Sequence, residues 1–366
     1  MRLRSLDVFR GLTMAAMVIV NNPGDWSAVY APLLHAEWHG WTPTDLIFPF
    51  FLFIVGASMA QASAERLSTP AVLRRGALLV SIGLLMSGFP SFNPARWRIP
   101  GVLFRIGICY VASAFIWRAV SVPEHALAIR RVLAAAAVCL LSYWTLMVLV
   151  APPGGVAGDL SAEGNLGAWL DRTLFGTHLW KQTWDPEGLL SSLPAVGTTL
   201  MGIAAGLWIR ARRPGCGAPG LVYAGVAAII VGLFWDAVFP INKALWTSSY
   251  ALFTGGAAAL TLGVLHMRLD DGRPPAWLMR VSEPLVAMGR NALLLFVLSG
   301  LIAKTLIVIN VGTGADETSL QYRMYGTMFA PLAAPKMASL LFAVANLAVL
   351  YALLAGLHRR RWYWSV

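Results

Sequence analysis

Charge is scarce in this chain: only 12% of its 366 residues are Asp, Glu, Lys or Arg, against 58% hydrophobic, and the mean hydropathy is +0.66. So few charges cannot solvate the surface of a soluble globule of this length, which excludes a soluble fold. Cysteine is nearly absent too. Of the three, Cys109 and Cys139 lie in apolar runs and Cys216 in a basic loop, so no disulfide framework is predicted. Acids are outnumbered, 17 against 28 Lys and Arg, but the basic residues come in small groups at the ends of apolar runs. That distribution argues against a nucleic-acid partner. The chain has no internal repeat, no low-complexity segment and no soluble second domain. Its opening MRLRSLDVFRG passes from a basic start into a helix without an A-x-A-like cleavage site, and is read as retained.

What is present is a succession of apolar runs. A helix needs about 20 such residues to cross ~30 Å of hydrocarbon, and ten runs qualify or nearly do, at 4–22, 43–62, 72–90, 100–118, 130–150, 189–209, 221–239, 245–266, 284–309 and 337–357. The expected fold is all-α: one polytopic helical membrane domain over 1–366 with about ten spans. A barrel would alternate in short segments instead. Ten spans put both termini on one side. Arg2, Arg4 and Arg10, Arg66, Arg74 and Arg75, Arg118, Arg130 and Arg131, Arg210, Arg212 and Arg213, Arg268, Arg273 and Arg280, and Arg359 to Arg361 then fall on that side, which the positive-inside rule makes cytoplasmic.

The opposite side receives the loop that begins at Asn21, NNPGDWSAVYAPLLHAEWHGWTPTD, with His35, Glu37, His39 and Asp45 and no Lys or Arg. A histidine there can take a proton from an attacking amine or hydroxyl, or accept an acyl group. It can equally be a solvated loop residue. HAEWH offers ligand types at i and i+4 but lacks the order of a zinc-binding HExxH, so no metal is expected. Arg105 and Arg290 lie within apolar runs, where a charge costs ~2.5–3.5 kcal/mol and normally faces the bundle interior. Guanidinium groups suit phosphate there; pairing with an acid such as Asp236 is the alternative. The outer edge carries two more polar clusters, WDPEGLLSS with Asp185 and Glu187, and PINKALWTSS with Asn242, Lys243 and Trp246. Together with Asp45 these are candidates for holding a sugar or a cationic amine.

In their order and membrane positions, RLRSLDVFRG, Asn21, HAEWHGWTPTDLIFPFFLFIVG, RIPGVLFRIGICY, DPEGLLSSLPAV, PINKALWTSSY and PLVAMGRNALLLF resemble the heparan-α-glucosaminide N-acetyltransferase family over nearly the whole chain. The resemblance implies transfer of acetyl from cytosolic acetyl-CoA to an aminosugar acceptor across the membrane. It places the family's active-site histidine on His35 and its partner asparagine on Asn21, with His39 and Asn22 as neighbouring substitutes. Phosphate binding to coenzyme A falls on Arg10, Arg105, Arg290 and Asn291. The implied setting is a compact bacterial relative in the inner membrane, its active site toward the periplasm and its partners coenzyme A, an aminosugar or glycan acceptor, the lipid bilayer and a second copy in a homodimer. Two other readings stay open, an aminosugar transporter and an O-acetyltransferase of a cell-envelope glycan.

Overall fold

The computed structural model describes residues 3–62, 67–211, 217–272, 274–313 and 316–364. Cys216 and the basic residues Arg2, Arg66, Arg212, Arg213 and Arg273 lie outside them. Each of the ten expected spans is helical. α3 (Thr69–Gly88), α4 (Val102–Val120), α5 (His125–Leu149), α7 (Ser192–Ala211), α8 (Ala218–Asp236), α9 (Ser248–Leu269) and α13 (Pro335–Arg359) are long and apolar enough to cross a membrane. α1 (Arg4–Asn21) carries Arg4, Asp7 and Arg10 in its first turns, and α2 (Ile47–Met59) reaches 17 residues only with the 3-10 turn Pro43–Leu46 before it.

The ninth span departs from expectation. It is two helices, α10 (Ala276–Arg290) and α11 (Ala292–Val308), bent by 74° at Asn291. Asn291 leaves helical geometry (φ −115°, ψ 33°). Its fully buried side chain holds the C-terminal tail instead, accepting from Trp364 N at 3.1 Å and donating to Trp362 O at 3.5 Å. The backbone at the break keeps its own bonds, Asn291 N donating to Met288 O at 3.2 Å and Leu295 N to Asn291 O at 2.9 Å. The connecting loops hold further structure: α6 (Leu166–Phe175) between α5 and α7, then β1 (Asn310–Val311) paired antiparallel with β2 (Thr318–Ser319), and α12 (Leu320–Met328), before α13.

Packing follows small residues, as expected where lipid removes the hydrophobic drive between helices. α1 lies on α10, α2 and α5 on α7, α3 on α4 and α8 on α9. A Cβ on Gly11 would stand 1.9 Å from Leu285 O, and one on Gly289 1.9 Å from Asp7 O, so α1 and α10 touch backbone to backbone. α7 is the most enclosed helix, while α3, α8 and α13 turn most of their surface outward. The largest buried cluster, with Leu52, Trp117, Leu200 and Trp246, lies among α2, α4, α5, α7 and α9.

Candidate active site

The local sequence WTPTD builds the start of α2 and the anchor of the histidine loop together. Thr42 caps the 3-10 turn, Pro43 occupies its first position, and Asp45 reaches back three residues, accepting from Thr42 N at 2.9 Å and Thr42 Oγ1 at 3.1 Å. The same carboxylate accepts from Ala36 N at 3.1 Å and meets His35 Nδ1 at 2.7 Å. Asp45 is fully buried, while the His35 side chain is 48% exposed. A carboxylate accepts only, so Nδ1 carries the proton and Nε2 is left as a base.

Lys243 completes the group. Its Nζ lies 3.1 Å from His35 Nε2, 3.2 Å from Nδ1 and 4.0 Å from Asp45 Oδ1. It is delivered by the turn between α8 and α9, where Asn242 Oδ1 accepts from Leu245 N (2.9 Å) and Asn242 O from Thr247 N (3.1 Å). That turn forces Trp246 to φ +48°, a left-handed conformation that a bulky residue rarely adopts. The turn is pinned to the histidine loop by Gly40 N donating to Ile241 O at 2.7 Å and by Asn242 Nδ2 donating to His39 Nδ1 at 3.4 Å. Burial pushes the Lys243 ammonium below the ordinary lysine range, although Glu187 and Asp45 oppose the shift.

Behind this group lies a charge cluster. Arg98 forks onto Asp185 (Nε 2.8 Å, Nη2 2.5 Å) and also donates to Glu187. Burial alone would raise Glu187, but the Arg98, Arg105 and Lys243 cations hold it below the usual carboxylate range. Arg105 is fully buried, its guanidinium 5.0 Å from the centre of the Trp246 ring, and donates to Gly188 O at 2.9 Å and to Ser191 Oγ. Its Nε and Nη1 are buried without a hydrogen-bond partner.

The structure thus gathers His35, Asp45, Asp185, Glu187, Lys243, Asn242, Trp246 and Arg105 at one end of the bundle, opposite the end where α1 begins. Asp45 serves His35 directly, and Asp185 and Glu187 are engaged by Arg98, a residue that sequence reasoning did not select. Its segment and the DPEG turn are 87 residues apart, a pairing no local pattern reveals. Trp246 is 1% exposed and works from beneath, through Arg105, Phe48 and Tyr250. Asp236 accepts from Ile241 N at 2.6 Å and pairs with neither arginine. Asn21, the last residue of α1, is exposed and makes no hydrogen bond to His35; Asn22 is the buried one, donating to Val18 O at 2.7 Å and Ser299 Oγ at 3.1 Å.

Arg10, Arg290 and Asn291 meet at the other end. Arg10 donates to Ser58 Oγ (2.6 Å) and Gly289 O (3.3 Å) and pairs with Asp7 (3.2 Å). The Arg290 guanidinium stacks 3.6 Å from the centre of the Tyr363 ring. Of the four expected phosphate-binding residues, three therefore share a neighbourhood and Arg105 does not.

The family described as heparan-alpha-glucosaminide N-acetyltransferase, catalytic, matches residues 2–233. The Homo sapiens heparan-alpha-glucosaminide N-acetyltransferase is 29% identical over 365 residues, covering 81% of this chain and 52% of its own length. The Mus musculus protein of the same name is 27% identical over 365 residues, covering 81% and 53%. The chain spans about half the length of these curated relatives.

Proposed function

The chain belongs to the heparan-alpha-glucosaminide N-acetyltransferase family, and from that premise we propose that it is a transmembrane acetyltransferase moving acetyl from cytosolic acetyl-CoA to the amine of a glucosamine-type acceptor at the outer face. One observation carries the reading: a half-exposed imidazole fixed at 2.7 Å by a fully buried carboxylate, with an ammonium 3.1 Å from its second nitrogen. That is a positioned general base beside a positive charge.

In the proposed step the acceptor nitrogen attacks the thioester carbonyl as His35 Nε2 takes its proton. Lys243, displaced from the ring, donates to the developing oxyanion. The C–S bond then breaks, and the imidazolium returns the proton to the departing thiolate. Asp45 holds the ring in one tautomer throughout and stabilises the imidazolium. Arg10, Arg290 and Asn291 are the groups proposed to face the coenzyme A phosphates at the end where α1 begins, proposed to be cytoplasmic, with the His35 end toward the periplasm of a bacterial inner membrane. Asn21 keeps its proposed role only by turning toward His35 when acceptor is bound. The homodimer and the hydroxyl acceptor of an envelope glycan stand as proposals beside these.

The test is mass spectrometry of glucosamine and related aminosugars after incubation of purified protein with isotopically labelled acetyl-CoA. Labelled N-acetyl product that disappears in His35→Ala is expected; undiminished product in that variant removes His35 from the chemistry. A transporter is the second reading, favoured by the break at Asn291, since discontinuous helices mark substrate pathways in transporters. Uptake of labelled aminosugar into vesicles without acetyl-CoA would select it.

A further inference from the structure

α5 and α8 face one another across a gap, because α5 is seated on α7 and α8 on α9. The gap is a cavity of about 490 Å3 whose floor is made shallow-sided by Ala204 and Ala205 of α7 and Gly255 and Gly256 of α9. Among the described residues no charged one lines it. All four helices are membrane spans by length and composition, and wall residues such as Ala137 and Ala224 are exposed, so the gap opens sideways toward lipid.

Its shape selects an occupant. On α8 the lining runs from Gly220 to Trp235, about 22 Å at ~1.5 Å per residue, most of the ~30 Å hydrocarbon thickness. The whole empty volume, about 1240 Å3 with the open side included, gives over that length a mean cross-section of at most about 55 Å2, whereas a helix about 10 Å across needs roughly 80 Å2. A single polymethylene chain fits; a helix from a second copy does not enter. The Trp235 end also lies close to the active site, separated from it by a packed apolar layer. Trp235 packs against Trp144 (5.7 Å between ring centres) and belongs to the apolar cluster that includes Trp38 and Leu245. The next residue, Asp236, holds Ile241, whose carbonyl holds Gly40. The groove therefore ends one packing layer from the His35–Gly40 loop and at the turn that carries Lys243.

We infer that this groove holds the hydrocarbon tail of the acceptor, so that the acceptor is a membrane-anchored glycolipid bearing an aminosugar, its amine at His35 and its tail between α5 and α8. The inference rests on the acetyltransferase reading, and the experiment separates the two. Propyl, octyl and dodecyl glucosaminides are compared as acceptors with labelled acetyl-CoA, in wild type and in Ala137→Phe/Ala224→Phe, with free glucosamine as the check that the variant is folded. Wild type gains at least ten-fold in kcat/KM from propyl to dodecyl, and the variant loses that gain while still acetylating free glucosamine. An equal gain in both proteins would mean partitioning into the bilayer alone and overturns the inference, leaving the acetyltransferase intact.

Should no amine be acetylated, the reaction assignment fails and the groove is still read directly, by photolabelling with a dodecyl glucosaminide carrying a diazirine at the tail end. Labels mapped to α5 and α8 in wild type and blocked in the variant support the groove. Labels elsewhere, labels displaced equally by a sugar-free phosphatidylcholine, or crosslinks between copies across α5 and α8 overturn it.

Discussion

His35 Nδ1 lies 2.7 Å from Asp45 Oδ1, and the two residues differ sharply in exposure, 48% against 0% for the side chains. The carboxylate is fixed by backbone amides of Ala36 and Thr42 before it ever meets the ring, so it sets the direction of the imidazole rather than following it. Replacement Asp45→Asn keeps the shape and can still accept from those amides, but no longer fixes the tautomer or stabilises the imidazolium. The expected result is a loss of kcat on the order of 10²–10⁴-fold with KM nearly unchanged, and a changed acid limb of the pH–rate profile. Steady-state kinetics of acetyl transfer measure it; an unaltered kcat would detach Asp45 from the reaction.

Lys243 supplies a second pH signature. Burial pushes its ammonium below the ordinary lysine range. If the charged form is needed, activity falls on the alkaline side as that lowered value is passed, at a pH below where an ordinary lysine titrates. Lys243→Arg, which stays charged throughout, should move the limb upward or remove it at some cost in rate. A limb at the same pH in both proteins would assign it to another group.

Much of this was legible in the sequence, and the misses have physical causes. The ten helical positions follow from apolar length, and His35, Lys243 and Glu187 could be singled out because polar residues at a membrane edge are few. Asp45 was visible as a candidate, but its role was not: T-P-T-D reads as a helix start, and nothing in spacing says that the same carboxylate faces a ring ten residues earlier. Arg98 was passed over because its partners lie on a distant loop. The bend at Asn291 was missed since PLVAMGRNALLLF is apolar on both sides of it, and the residues that hold the Asn291 side chain, Trp362 and Trp364, lie 71 and 73 residues further on.

Arginine placement makes a prediction of its own. Arg290 sits with Arg10 and Asn291 at the α1-start end, whereas Arg105 is buried at the His35 end under Gly188 and over Trp246. Arg290→Ala should therefore raise the dissociation constant of coenzyme A several-fold with little change in melting temperature. Arg105→Ala should instead lower the melting temperature with little change in coenzyme A affinity, since it leaves Glu187 short of one cation and Ser191 Oγ without its donor, a loss on the order of 3 kcal/mol. Equilibrium binding and thermal unfolding in detergent distinguish them, and a coenzyme A affinity that depends on Arg105 and not on Arg290 would reverse the assignment of ends.

The final test concerns Asp171, which α6 presses against the DPEG turn. Its Oδ1 accepts from Leu189 N at 2.8 Å, and a Cβ on Gly188 would stand 1.8 Å from Asp171 Oδ2. Burial pushes this carboxyl up to about 6. Between the ordinary aspartate value and that one, the folded protein binds more protons than the unfolded chain, so stability falls as pH rises through the window and stays reduced above it. Asp171→Asn keeps an acceptor for Leu189 N and abolishes the titration; at pH 7 it should match or exceed wild type, by on the order of 3 kcal/mol at most. Gly188→Ala should destabilise at every pH, by about 1–3 kcal/mol, because the added methyl meets the carboxylate and not open space. Melting temperatures measured from pH 4 to 7 decide between these expectations: an Asn variant that retains the wild-type slope would show that Asp171 is not the group that titrates.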